Sequence, residues 1–155
     1  MKRNTTFLAL LISAATASLC FAHDNAFMGT WKLNDAKSKI PAATAHNNTV
    51  VYGQSGDKVT ITGDGVDATG KAMHQVWTGK FDGRDYSAKG SPTHDTRAYT
   101  KVDANTLTYT LMKDGKKLGH GKVVVAADGK SRTVTETSLS ADGKPVTGTY
   151  VFDKQ

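Results

Sequence analysis

Five Asp-Gly pairs, Asp64-Gly65, Asp82-Gly83, Asp114-Gly115, Asp128-Gly129 and Asp142-Gly143, punctuate the chain, and the segments between them alternate Thr, Val, Tyr and Leu with polar residues. Asp-Gly tolerates the positive φ of a tight hairpin turn, so the pattern predicts an antiparallel up-and-down meander. The last three pairs recur every 14 residues, and Asp103-Ala104-Asn105 supplies a further turn between Asp82 and Asp114. Such even spacing predicts an all-β chain of about 8–10 short strands closing into a barrel. The expected strands are 27–33, 48–54, 58–63, 71–80, 84–88, 95–102, 106–113, 116–126, 131–139 and 144–152, with a helical turn over 34–39 stopped by Pro41.

The N-terminus reads differently. Lys2 and Arg3 precede the apolar run Phe7 to Ile12, and small residues lead to Cys20-Phe21-Ala22. This predicts a secretory signal peptide over 1–22, cleaved before His23, with an apolar run too short to span a bilayer. A lipoprotein reading would acylate Cys20, but Leu19 stands where a small residue is expected. Cleavage leaves residues 23–155 as one β-barrel domain without a cysteine, whose stability must come from one packed core. Export without disulfides points to a bacterial periplasm or exterior.

The formal charge of +6 becomes +4 once Lys2 and Arg3 are lost, and Lys116-Lys117 is the only adjacent basic pair left. Nucleic-acid binding wants a clustered basic stripe with interleaved aromatics, which this distribution disfavours.

Two-residue hairpin turns fix which side chains sit opposite one another. Applied at Asp114-Gly115, Asp128-Gly129 and Asp142-Gly143, the rule gathers Leu107, Tyr109, Leu111, Leu118, Leu139, Val146, Tyr150 and Phe152 on an inner face with His120, Lys122, Thr135, Thr137 and Gly148. It sends Lys117, Arg132, Glu136, Thr147, Thr149 and Asp153 outward. At Asp82-Gly83 it aligns Trp77 and Phe81 with Tyr86 and Ala88, pointing Trp77 inward. A three-residue turn with a bulge would reverse the parity of any hairpin. Strands 106–113 and 144–152 choose the same inner face by their own alternation; 116–126 and its neighbour do not choose.

The segment Ala26-Phe27-Met28-Gly29-Thr30-Trp31-Lys32-Leu33 resembles the first strand of fatty-acid-binding proteins, and Gly29-Thr30-Trp31 resembles the Gly-x-Trp signature of lipocalins and other calycins. The resemblance implies a lipocalin-like or fatty-acid-binding-protein-like barrel with Trp31 packed at one end. Only about a dozen residues follow this strand before the next, so the helical lid of fatty-acid-binding proteins is missing or vestigial. Their final-strand Arg-x-Tyr pair, which holds a carboxylate, is replaced here by Gly148-Thr149-Tyr150; an Arg97-x-Tyr99 pair lies on an earlier strand. The sequence is more similar to small secreted bacterial lipocalin-like proteins, a group without a common activity.

Reactive motifs are sparse. His23, His46, His74, His94 and His120 are never two to four residues apart, so no sequence-local metal site is expected. His23 with a freed α-amine suggests a copper site, but a frayed terminus is the simpler reading. Glu136 is the only glutamate and many aspartates occupy turns, which disfavours paired-carboxylate catalysis. No Gly-x-Ser-x-Gly or phosphate-cradling loop occurs. The expectation is an exported, non-enzymatic barrel, without cofactor, metal or membrane span, binding a small hydrophobic or amphipathic ligand through Trp77, Tyr86, Tyr109, His120, Thr135, Thr137 and Tyr150. The rival readings are a solid barrel serving as a protein-interaction module and an enzyme of unidentified chemistry.

Overall fold

The computed structural model describes residues 25–140 and 143–155. The expected cleavage site, Cys20, His23 and Asp142 lie outside them. The strands are β1 (Gly29–Leu33), β2 (His46–Ser55), β3 (Lys58–Val66), β4 (Ala72–Gly79), β5 (Asp82–Lys89), β6 (Thr96–Lys101), β7 (Thr106–Lys113), β8 (Lys116–Val125), β9 (Ser131–Leu139) and β10 (Pro145–Lys154), with a 3-10 turn over Asp35–Lys37 after β1. Each pairs antiparallel with its sequence neighbours, and β1 closes the barrel on β10 through Trp31 opposite Lys154 and Leu33 opposite Phe152. The seam between β4 and β5 is thin, with only Val76–Lys89 and Trp77–Ala88 paired.

The turn chemistry explains most of this path and corrects part of it. Asp64-Gly65 is not a turn but lies within β3; the reversal comes at Asp67, whose carboxylate accepts from the Thr69 and Lys71 amides at 2.8 and 3.0 Å. An Asx turn of this kind needs only the aspartate. Gly65 answers a different demand, since a Cβ there would run into the His46 carbonyl. Asp114 and Gly115 form the expected two-residue turn, with φ of 49° and 73°. Asp103 also turns as expected, accepting from the Asn105 amide at 2.8 Å.

Two one-residue insertions alter the faces. Leu118 bulges from β8, so that Met112 faces Lys117 while Leu111 faces Gly119. The β9–β10 turn holds three residues between Ser140 and Lys144, whose backbones bond at 2.9 Å, and Leu139 pairs with Pro145 rather than Val146. A bulge or longer turn reverses parity across a hairpin. Between them β8 and β9 keep the expected register, His120 opposite Thr137 and Lys122 opposite Thr135, but both strands are flipped. Gly119, Gly121, Val123, Arg132, Val134 and Glu136 therefore take the inner positions. Leu139, expected inside, is 47% exposed, and Arg132, expected outside, is 2% exposed.

Phe27, Trp31, Leu107 and Val123 are fully buried. The Trp31 indole donates to the Phe27 carbonyl at 2.9 Å, satisfying the one polar atom its burial would strand. Arg132 lies over the rings of Trp31, Tyr52 and Phe152 at 4.8 to 4.9 Å. Aromatic contacts continue inside from Phe27 to Phe81, on to Trp77 and Tyr99, and from Tyr99 to Tyr109 at centroid distances of 4.8 to 6.2 Å.

Candidate functional site: a polar cavity inside the barrel

The inner faces enclose a cavity of about 100 Å³. Tyr52, Trp77, Tyr99, Tyr109, Tyr150 and Val123 form aromatic and apolar walls, while Asn47, Gln75, His94, Arg97, Arg132 and Glu136 add polar groups. The polar set comes from β2, β4, β6, β9 and the loop before β6, so it exists only once the barrel has closed.

The network within it is specific. Tyr109 donates to Glu136 Oε2 at 2.6 Å, and Gln75 donates to Asn47 Oδ1 at 2.8 Å. Arg97 Nη1 donates to the Tyr99 hydroxyl and Nη2 to His94 Nε2, each at 3.0 Å, with the guanidinium 5.2 Å from the Tyr109 ring centroid. Because arginine only donates, His94 Nε2 must be the acceptor and Nδ1 the protonated nitrogen, facing the Ser91 and Thr93 hydroxyls at 2.8 and 3.0 Å. Burial, then Arg97, pushes the His94 imidazole down to about 3 against the pull of Asp95, keeping it neutral at pH 7. Burial opposes the charge on Arg97, but Tyr99, Tyr109 and Glu136 outweigh it and hold the group protonated. Burial and then Glu136 raise the Tyr109 phenol well above its ordinary range, and the same two causes raise Tyr150.

Arg97 Nε and Arg132 Nε and Nη1 are sealed from solvent with no hydrogen-bond partner. Among the described residues no carboxylate lies within 4.0 Å of either guanidinium. Ring contacts offset part of the desolvation of Arg132, at roughly 2 kcal/mol for a desolvated cation on an aromatic face.

Of the residues expected to bind, Trp77, Tyr109 and Tyr150 line the cavity. The Trp77 indole donates to the Arg97 carbonyl at 2.8 Å. Tyr86 does not line it: its ring packs edge-on to Trp77 at 5.8 Å and its hydroxyl donates to Asp82 at 3.0 Å. His120, Thr135 and Thr137 sit on the outer face, turned there by the bulge at Leu118 and the longer β9–β10 turn. Cross-strand pairing places them in two outer rows, Thr108–Lys122–Thr135–Thr149 and Thr110–His120–Thr137–Thr147. Gly148 leaves no void either, since the Tyr150 hydroxyl lies 2.6 Å from where its Cβ would be.

Arg132, Glu136, His94, Tyr52 and the Asn47–Gln75 pair are the cavity residues that the hairpin register missed. One signal was available: in β8 the glycines at 119 and 121 alternate with His120 and Lys122, and small residues opposite large aromatics mark an inner face that must make room. The Arg97-x-Tyr99 pair was visible, but its facing was not.

The arrangement is therefore a closed ten-strand antiparallel barrel around a small cavity with aromatic walls and charged groups. No family model and no curated protein matches the chain. A solved structure described as EF1p2_mFAP2b bound to DFHBI is similar at 11% identity, over 84% of this chain and 94% of that one, with a TM-score of 0.47. Among the described residues no group of three His, Cys, Asp or Glu side chains is placed to hold a metal ion, and no helix is long and apolar enough to cross a membrane.

Proposed function

We propose that this protein is an exported, non-enzymatic barrel that binds a small amphipathic molecule reversibly in its interior. The observation that carries the reading is a cavity inside the closed barrel that joins aromatic walls to the charged residues Arg97, Arg132 and Glu136. A core that served only for packing gains nothing from stranded charged donors, each of which costs about 1–3 kcal/mol or more. A ligand with one polar end sets it among the charged and polar groups of the lining and lays its apolar part on Trp77, Tyr99 and Tyr109. Export rests on the N-terminal leader alone, with cleavage after Ala22 and a periplasmic or extracellular destination.

Mass spectrometry of an organic extract of the purified protein tests this. A stoichiometric small molecule supports the binding reading. A barrel that carries nothing and takes up no fluorescent probe is instead a protein-interaction module, a reading favoured by the modest volume of the cavity.

A further inference from the structure

We propose that the outer face of β7, β8 and β9 carries a second site, a groove that takes an acidic oligosaccharide, a short chain of uronate sugars. It lies on the outside of the barrel wall, so it stands whatever the interior holds. The groove has a volume of about 530 Å³, within the ~300–1,000 Å³ of most small-molecule sites. Its basic groups stand on one strand. Lys117, His120 and Lys122 follow one another along β8, the first and last roughly 15 Å apart at the rise of a strand. Threonines flank this line on both sides: Thr108 and Thr135 lie opposite Lys122, and Thr110 and Thr137 opposite His120.

Charge complementarity selects an anion. Among the described residues no carboxylate lines the groove, and neither lysine has an acid within 4.0 Å. Asp103, in the turn after β6, feels Lys122 from a distance: its carboxyl is lowered first by the Asn105 amide, then by the Thr106 side chain, with Lys122 last. The hydroxyls select what carries the charge. Among the described residues the side-chain oxygens of Thr108, Thr110 and Thr135 have no protein partner, while Thr137 shares its own with Thr147 at 2.8 Å. A hydroxyl both donates and accepts, which suits the hydroxyl-rich edge of a sugar. Tyr109, the one aromatic residue in the lining, is buried, so the bases of a nucleic acid find no stacking platform. None of the exposed large apolar residues lies in the groove, so it offers nothing to insert into a lipid surface.

Calorimetric titration of the purified protein with tetragalacturonate tests the site. Maltotetraose serves as the neutral sugar, and inorganic polyphosphate, oligothymidylate and vesicles of anionic phospholipid as the other anions. Tetragalacturonate should bind, more weakly as salt rises, and at least about tenfold more tightly than maltotetraose. Lys117→Gln combined with Lys122→Gln should cost at least about tenfold in that affinity. Thr135→Val keeps the β-branch and removes an exposed hydroxyl, and should weaken tetragalacturonate severalfold while leaving polyphosphate unchanged. The NMR signal of the Trp77 indole proton, inside the barrel, should not move on titration. Polyphosphate, oligothymidylate or vesicles bound as tightly as tetragalacturonate, or a Thr135→Val without effect, reduces the face to an unselective basic strip and overturns the proposal. A shifted Trp77 signal with the lysine variants unimpaired puts the sugar in the interior and overturns the outer site. Failure of tetragalacturonate to bind overturns it outright and leaves the reading of the interior cavity untouched.

Discussion

The Tyr109 side chain crosses Gly121 on the neighbouring strand to donate its hydroxyl to Glu136 on the strand beyond, at 2.6 Å. The three residues are in register on β7, β8 and β9, and the ring occupies the space that a side chain at 121 would need. One tyrosine thus ties three strands and fixes the position of the one carboxylate in the cavity lining.

Gly121→Ala should push the Tyr109 ring aside and separate it from Glu136. Overpacking of this kind costs about 1–3 kcal/mol. Tyr109→Phe keeps the ring and removes only the donor, and should cost about 1–3 kcal/mol through an unsatisfied Glu136. Urea unfolding of both variants measures the two effects; a neutral Gly121→Ala would show that the ring has free room elsewhere.

Trp31→Ala should cost about 3–5 kcal/mol, the range for emptying a packed aromatic site. The residue is fully buried and carries Arg132 on its face, so the loss includes a cation–ring contact. A change below about 1 kcal/mol in denaturant unfolding would mean that the site is redundant.

His94 makes stability depend on acidity. Its imidazole titrates near 3 in the barrel and near 6.5 when unfolded, so between these values the unfolded chain binds the extra proton. Stability from this group is complete above about 6.5 and falls as the pH drops toward 3, by up to about 1.4 kcal/mol per pH unit. His94→Gln retains an acceptor for Arg97 and cannot titrate, so its unfolding curves should lack that part of the acid slope. Parallel slopes for the two proteins would refute the assignment.

His120→Ala should change stability by less than about 0.5 kcal/mol and leave interior binding untouched, as befits an exposed outer-face residue. Loss of ligand uptake in this variant would contradict the flipped face of β8.

Intact-mass analysis of the exported protein should show the loss of 22 residues, with His23 first. A retained leader, or a diacylglyceryl group on Cys20, is the contrary result.

The strands could be read from sequence because Asp-Gly turns and β-branched alternation agree along most of the chain. Facing was readable only where a strand chose for itself. In β7, Leu107, Tyr109 and Leu111 leave no doubt, and in β10 neither do Tyr150 and Phe152. In β8 both faces carry apolar residues, Val123 and Val125 on one and Leu118 and Val124 on the other, and β9 is largely polar on both, so the assignment hung on turn length. Nothing in Asp-Gly distinguishes a two-residue turn from a three-residue one, and nothing local announces the bulge at Leu118. The two insertions cancel between β7 and β10, which is why the outer strands of the group were right and the two between them were not. Two of the cavity's charged residues, Arg132 and Glu136, lie on β9, one of the flipped pair. His94 escaped for another reason, since a loop histidine becomes buried only through Arg97 and the closure of the barrel.

The pairing of Trp31 with Lys154 sets an order of events in folding. Strands β2 to β9 can zip by successive hairpins, each closing a short loop, but β1 gains its second partner only when the last strand is in place. That contact spans nearly the whole chain and is made late, after the loop-closure entropy has been spent on nearer pairs. Until then Trp31 lacks its β10 partner, Lys154, which also lies over its ring. A chain released before its final strand is available should therefore be sticky and sensitive to proteases, and its maturation should be timed by the arrival of its C-terminus rather than by the nucleation of any single hairpin.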